Sequence, residues 1–355
     1  MNLPYATRGL PGTGGSIREL SGDFVVEEIP AFEPSGVGEH VFVNLTKRDI
    51  NTREVARRLA RFFGLPMTGV GYAGLKDRSA ISTQTFSVHL PEIVSGNLND
   101  IEYLLSAELP VKVNWIHRHM RKLRTGQLKG NRFTINVTGL KIGVEEAVER
   151  AEAISDVLGT VGMPNFYGSQ RVDVVNVRNG YEVLKGLRKV RDRWLRRLLV
   201  SSYIDHLCNL YLVRRLESNR FCCLIEGDIA KKASTGGMFT VEDVEVEQVR
   251  YETHEISFTA PIYGPKMWWA SGPSGELERE IFERSGVTME ELARLKVIGS
   301  RRLGRLLPEI DVRAVERGLQ LRFFLPKGAY ATVVLREFLK NDAHQLVEST
   351  SSACP

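Results

Sequence analysis

The sequence predicts an α+β fold with an interrupted sheet. Strand-like alternation fills much of the first 140 residues and returns after residue 318. A long helical stretch, Asp192 to Glu217, occupies the middle, after the glycine- and proline-bearing segment GTVGMPN. A β-rich start and a β-rich end around a helix-rich centre point to an inserted domain, with the two ends closing one sheet. The length of 355 residues fits two domains.

Taken in order, Phe24 to Ile29 and His40 to Thr46 read as strands around the turn-rich PAFEPSGVGEH. Asn51 and Thr52 can cap a helix running to Phe63, with Val55, Leu59 and Phe62 on one face and Gly64 and Pro66 as the stop. Gln84 to Leu90 alternates as a strand with Phe86, Val88 and Leu90 inward, and Val111 to Ile116 and Phe133 to Val137 repeat the pattern. Val144, Ala147, Val148, Ala151, Ile154 and Leu158 trace one helical stripe before Gly159. Ser274 to Lys296 holds two short helices, and Leu319 to Leu325 and Tyr330 to Leu335 read as strands. The polar tail ESTSSACP is expected to fray.

Composition excludes several classes. Hydrophobic residues make up 43% and charged residues 26%, enough for a core and unlike a disordered chain. The longest apolar runs, such as Ala329 to Leu335, fall far short of the ~20 residues that cross a bilayer, so no membrane association is expected. The start MNLPYATRGLPGTGG lacks a basic-then-apolar leader, which favours the cytoplasm. Four cysteines make no disulfide framework, and His117 and His119, on one face of a strand, lack a third ligand for zinc.

Net charge is +5, but its distribution says more. Between Glu108 and Glu145 there is no acidic residue, while Lys112, Arg118, Arg121, Lys122, Arg124, Lys129, Arg132 and Lys141 fall inside. A second cluster comprises Lys185, Arg188, Lys189, Arg191, Arg193, Arg196 and Arg197, with only Asp192 between. Two separated basic stretches suit a long polyanion better than one small acidic ligand. Charge alone is also compatible with an ordinary solvated face.

Gly69-Val-Gly71-Tyr-Ala-Gly74 matches the G-x-G-x-x-G dinucleotide fingerprint, which needs a strand before it and a helix opening at the third glycine. Here a helix and GLPMT precede it and the β-branched LKDRSAISTQTF follows, so dinucleotide binding is not expected. The same glycines instead shape a loop that presents Asp77 between Lys76 and Arg78. Neighbouring positive charge favours an ionised carboxylate, and a short charged side chain on a loop suits a nucleophile or a base. The bland alternative is a Lys-Asp-Arg surface turn. In RKLRTGQLKGNRF, cations suit phosphates, Gly126 and Gly130 permit close backbone approach, and Asn131 and Phe133 open a strand. An amide that reads base edges beside a stacking aromatic is a common way to hold single-stranded RNA, unless Phe133 is simply core.

GDFVVEE, GYAGLKDRSAISTQ, RKLRTGQLKGNRF, PNFYGSQR and LPKGAYATVVLREF, in that order, resemble the TruD family of pseudouridine synthases from about residue 10 to residue 340. The resemblance implies isomerisation of uridine to pseudouridine in tRNA, typically at position 13. It also implies a synthase catalytic domain with a mainly antiparallel sheet, residues 1–161 and 307–355, carrying an inserted helix-rich α+β TRUD domain, residues 162–306. The family's catalytic aspartate falls on Asp77 and its basic partner on Arg18. Phe24, Asn131 and Tyr330 fall where the family contacts the target nucleotide, and Phe133 where an aromatic lines the site. Arg121, Lys122, Arg124, Lys129 and Arg132 are the expected backbone-binding cations. One departure is Gln170-Arg171-Val172-Asp173, where members usually read Q-R-F-G.

Breaking N1–C1′, turning the uracil and joining C5 to C1′ involves no redox change and no net hydrolysis, so no cofactor is expected. The base must leave its stack at a cost of about a few kcal/mol. Aromatic stacking worth about 1–3 kcal/mol per base can offset that cost. The expected partner is tRNA, not DNA, and a monomer is the default. Two other readings remain at this stage. A non-catalytic RNA-binding protein is motivated by charge alone, and an RNA methyltransferase by the glycine-rich match.

Overall fold

The computed structural model describes residues 3–91, 98–169 and 171–341. Gln170 and the tail ESTSSACP lie outside the described residues. By density of contacts the chain forms two compact units, Thr13–Ser155 with Pro308–Gly328, and Met1–Gly12 with Asp156–Leu307 and Ala329–Pro355.

The first unit is built on one sheet. In chain order it has β1 (Ser16–Ile17), β2 (Phe24–Pro30), β3 (His40–Arg48), α1 (Thr52–Phe62), β4 (Val70–Tyr72), β5 (Ile81–His89), α2 (Leu98–Glu108), β6 (Val111–His119) and β7 (Leu128–Thr138). Helix α3 (Val144–Thr160) follows. The second unit contributes β8 (Met163–Pro164), α4 (Val174–Leu184), α5 (Arg193–Glu217), β9 (Ile229–Lys232), β10 (Met238–Thr240), α6 (Val244–Glu252) and β11 (Ile256–Ile262). It continues with α7 (Gly272–Arg284), α8 (Met289–Arg294), β12 (Ser300–Leu303) and β13 (Arg305–Leu306). The chain then supplies β14 (Ile310–Val315) and β15 (Gly318–Pro326) to the first unit and α9 (Ala331–Leu339) to the second.

The large sheet runs β14-β15-β7-β2-β5-β3-β6, with β1 paired to β7 and β4 to β5. The sheet therefore joins strands from the first 138 residues with β14 and β15 from residues 310–326. Among the described residues every pairing in it is antiparallel except β2 with β5, where Val25 lies beside Ile81 and Glu27 beside Thr83. One core packs Val41, Val43, Leu45, Phe86 and Val88 against Val55, Ala56 and Leu59 of α1 and Leu105 of α2. Helix α1 starts where its cap residue predicts: the Asn51 side chain accepts from the Glu54 N–H at 2.8 Å. Strand β5 departs from simple alternation. Ser82, Gln84, Thr85 and Ser87 are buried along with Phe86 and Val88, because both faces of this central strand are covered.

In the second unit β10-β9-β11-β12 form an antiparallel sheet and β13 pairs with β8. The long helix begins at Arg193 with Asp192 as its cap. Between Ser274 and Lys296, α7 and α8 stand as the two short helices the pattern predicts. Tyr330 to Leu335 is a correction: it is not a strand but the cap and first turns of α9. The β-branched run Thr332-Val333-Val334 mimics a strand, yet Ala331, Val334, Leu335 and Phe338 make a buried stripe at helical spacing, and packing overrides local propensity.

Candidate active site

Asp77 sits in the loop between β4 and β5, and that loop is held by named bonds rather than by helix or sheet. Gln84 Nε2 donates to the Gly74 carbonyl at 3.2 Å, and the Lys76 N–H donates to Thr52 Oγ1 at 2.9 Å. Lys76 Nζ lies 2.6 Å from Glu28 Oε2, both side chains buried. Lys47 Nζ donates to the Ile50 carbonyl at 2.6 Å and to the Asp77 carbonyl at 3.3 Å. Burial, with the nearby charge of Lys76, pushes the Lys47 ammonium down to about 8.

The carboxylate of Asp77 remains accessible. Arg18 Nη2 meets Asp77 Oδ2 at 2.6 Å, with the Arg18 side chain 6% exposed and that of Asp77 48%. Arg18 follows β1 with φ of 67°, a conformation costly for a residue with a side chain, and its guanidinium lies 4.0 Å from the centroid of the Phe24 ring. A charge-assisted bond and a cation–π contact thus hold the arginine while one face of its partner stays open to a ligand.

The parallel pairing brings these two residues together. Strands β2 and β5 start at the same edge of the sheet, so the segments leading into them, which carry Arg18 and Asp77, emerge side by side. Phe24, Val26 and Glu28 share one face of β2, and Ile135, Phe133 and Asn131 lie opposite them on β7. Phe24 is edge-on to Phe133 at 6.1 Å between ring centroids, and Phe133 stacks on Phe323 of β15 at 5.3 Å. Both Phe24 and Phe133 are buried. Asn131 Oδ1 is a buried acceptor without a hydrogen-bond partner among the described residues. Leaving such an atom unsatisfied costs about 1–3 kcal/mol, so a donor on a ligand is a natural partner.

The basic segment Arg121–Gln127 docks on the Asp77 loop by its backbone. The Gly126 N–H donates to the Ala73 carbonyl at 2.7 Å, and a Cβ on Gly71 would lie 2.2 Å from the Leu123 carbonyl oxygen, so only glycine admits that approach. Gly130 meets the same constraint at the Leu325 carbonyl, 2.1 Å from a built Cβ. Arg121, Arg124 and Lys129 are exposed, and no ion pair engages them among the described residues. Lys122 turns back to donate to the Thr68 carbonyl. Arg132 lies on the sheet face away from Asn131 and Phe133, paired with Glu27 at 2.7 Å.

Tyr330 belongs to the second unit, at the start of α9. Its ring lies 5.9 Å from that of Tyr167 in PNFYG, and Arg302 stacks over Tyr167 at 4.1 Å. Burial raises the Tyr330 hydroxyl above its ordinary range. Nearby Arg171 pairs with Asp205 at 2.7 Å, and Asp173, where the family pattern is broken, caps α4 by accepting from the N–H groups of Val175 and Asn176.

The fingerprint at Gly69 to Gly74 leads from β4 into a loop and then into β5, so no helix opens at its third glycine. Among the described residues no group of three or more His, Cys, Asp and Glu side chains is placed to hold a metal ion, and no helix is long and apolar enough to cross a membrane. Glu28 and Lys47 were missed by sequence reasoning. Both carry a signal in hindsight: each is a charged residue in the inward phase of a strand, Glu28 after Phe24 and Val26, and Lys47 after Val41, Val43 and Leu45.

The family described as tRNA pseudouridine synthase D (TruD) matches residues 1–174 and 175–338. A relative named tRNA pseudouridine synthase D from Anaeromyxobacter dehalogenans (strain 2CP-C) is 38% identical over 352 residues, covering 96% of this chain and 98% of its own. One of the same name from Thermus thermophilus is 40% identical over 349 residues, covering 98% of this chain and 94% of its own. The crystal structure of a putative tRNA pseudouridine synthase D from Methanosarcina mazei matches with a TM-score of 0.77 at 25% identity, covering 97% of each chain. With the family matched to residue 338 and relatives aligned over 96–98% of its length, the chain belongs to the TruD family of tRNA pseudouridine synthases.

Proposed function

We propose that this protein isomerises uridine to pseudouridine in tRNA, with uridine-13 as the target, Asp77 as the catalytic carboxylate and no cofactor. The observation that carries this is the exposed Asp77 carboxylate, held by the nearly buried Arg18 in a loop that four further side chains anchor. The family membership supplies the substrate class.

The reaction breaks one C–N bond and forms one C–C bond, while a proton leaves C5 and another is taken up at N1. Atoms and oxidation state balance, so a carboxylate that can add or accept a proton is sufficient. Arg18 orients Asp77 through their charge-assisted bond. Asn131 Oδ1, lacking a donor, suits the N3–H of an extruded uracil. Arg121, Arg124 and Lys129 suit the flanking phosphates. Lys122 and Arg132, the other backbone-binding candidates, would first have to leave the partners they hold. Phe24 and Phe133 are read as the hydrophobic wall behind the base, and Tyr330 as a residue that contacts the target nucleotide. Within this reading residues 1–161 and 307–355 form the catalytic domain and 162–306 the inserted TRUD domain, and a monomer works on tRNA, not DNA, in the cytoplasm.

The decisive experiment maps pseudouridine in a tRNA transcript treated with wild-type protein and with Asp77→Asn, without added cofactor. The variant is expected to lose modification while keeping its RNA affinity. Retained modification overturns the assignment. Binding without modification by the wild type leaves a non-catalytic RNA-binding protein.

A further inference from the structure

Helix α5 carries a polar stripe. Ser201, Asp205 and Asn209 lie four residues apart and so share one side of the helix, and Asp205 and Asn209 are buried. Buried polar groups need partners, and these find theirs in the segment that follows β8. Asn209 Oδ1 accepts from the Tyr167 N–H at 2.8 Å, and Asn209 Nδ2 donates to the Tyr167 carbonyl at 3.0 Å. Arg171 Nε donates to Asp205 Oδ2 at 2.7 Å, and Arg171 Nη2 to Ser201 Oγ at 2.8 Å. Burial pushes the Asp205 carboxyl up, opposed by Arg171, by the Tyr167 hydroxyl and by Arg302. The pair is lopsided: the Asp205 side chain is 6% exposed and that of Arg171 34%, the reverse of the Arg18–Asp77 arrangement.

A buried ion pair adds little stability over apolar packing of similar volume. This one instead fixes a guanidinium at the surface, with its Nη1 uncommitted among the described residues. A second cation stands close by. Arg302 lies 4.1 Å from the centroid of the Tyr167 ring and 5.9 Å from that of Tyr330, and the two rings are 5.9 Å apart. Among the described residues the charged groups that act on the Tyr330 hydroxyl are Arg171, Asp205 and Arg302, two cations against one anion. A single monoanionic group neutralises that surplus, and the planar fork of arginine matches the oxygens of a phosphate. We propose that Arg171, positioned by Asp205 and Ser201, binds a backbone phosphate of the tRNA, with Arg302 supplying the second positive charge. The neighbouring tyrosine rings suit a phosphate that arrives attached to a nucleotide. The site rests on the tRNA reading, lies wholly within the second unit and shares no residue with the Asp77 loop.

The test measures affinity of the full-length protein for a labelled, unmodified tRNA transcript at several salt concentrations. Arg171→Met combined with Asp205→Asn removes both charges together, so no unpaired carboxylate stays buried and the net charge is unchanged. This double variant is expected to bind about tenfold more weakly, with a slope of log affinity against log salt shallower by about 0.7–0.9. Arg171→Lys should keep the slope, because an ammonium still neutralises the phosphate. In the wild-type protein, bound tRNA should shield Arg171 from phenylglyoxal, a reagent for guanidinium groups, as read by mass spectrometry. A wild-type slope in the double variant, or Arg171 modification that tRNA does not slow, overturns the site. Pseudouridine mapping on the same samples separates the two ideas. Wild-type protein that binds tRNA with an Arg171-dependent slope but makes no pseudouridine sinks the catalytic reading alone. Active protein whose double variant keeps the slope sinks the phosphate site alone.

Discussion

Arg18 and Asp77 share a 2.6 Å ion pair in which the cation is nearly buried and the anion half exposed. That asymmetry suits the catalytic role proposed for Asp77: the cation is fixed by Phe24 and by the fold, and the carboxylate faces outward. A charged hydrogen bond is worth about 1.5–3 kcal/mol, so Arg18→Ala should lower the single-turnover rate about 10- to 100-fold. Arg18→Lys should recover part of it, because the ammonium keeps the charge but loses the planar fork. Equal rates for wild type and Arg18→Ala would remove Arg18 from the mechanism.

Asn131 should show opposite effects on stability and activity. Its buried Oδ1 has no donor among the described residues, so Asn131→Ala removes a desolvated acceptor and should leave the urea midpoint unchanged or raised. Modification of tRNA should nevertheless fall at least tenfold. A large loss of stability in this variant would show that the amide is structural.

The Lys76–Glu28 pair should be costly to halve. Glu28→Gln leaves a buried ammonium without its counter-charge and should destabilise by about 3–5 kcal/mol, read from urea unfolding. Combining Glu28→Gln with Lys76→Met should recover much of that stability without restoring the rate, since the Nζ–Oε2 bond that ties residue 76, next to Asp77, to β2 stays broken.

Lys47 gives a signed pH dependence. Its folded value, about 8, lies below the ordinary lysine range, so between the two the unfolded chain binds more protons than the folded one. Stability from this group therefore rises as pH climbs from about 8 toward 10.5 and is lost as pH falls back through 8. Wild-type protein should gain stability relative to Lys47→Met over that window, measured as unfolding midpoints at about pH 7.5 and about pH 9.5. Parallel curves for the two proteins would exclude the effect.

Much of this architecture was written locally. The Asn51 cap, the Asp192 cap and the inward residues of β3 each follow from a few neighbouring side chains. What local pattern could not supply is partnership. Thr332-Val333-Val334 favours a strand until Phe338 and the packing of α9 are known. Asp77 stood out by its glycines and flanking cations, but Lys47 and Glu28 reach the loop through bonds to residues 30 and 48 positions away. Phe24 and Phe133 illustrate a further limit: an aromatic in a strand reads the same whether it faces a ligand or, as here, lies buried against another ring, and Phe133 stands in the middle of β7 rather than at its start.

The parallel pairing of β2 with β5 also bears on when the proposed catalytic pair can form during folding. Arg18 and Asp77 are 59 residues apart, and no hairpin can bring them together, because parallel strands need a crossover connection, which here runs through β3 and α1. A refolding chain should therefore regain its helical signal early and its enzymatic competence last, so that the return of turnover marks completion of the sheet's centre.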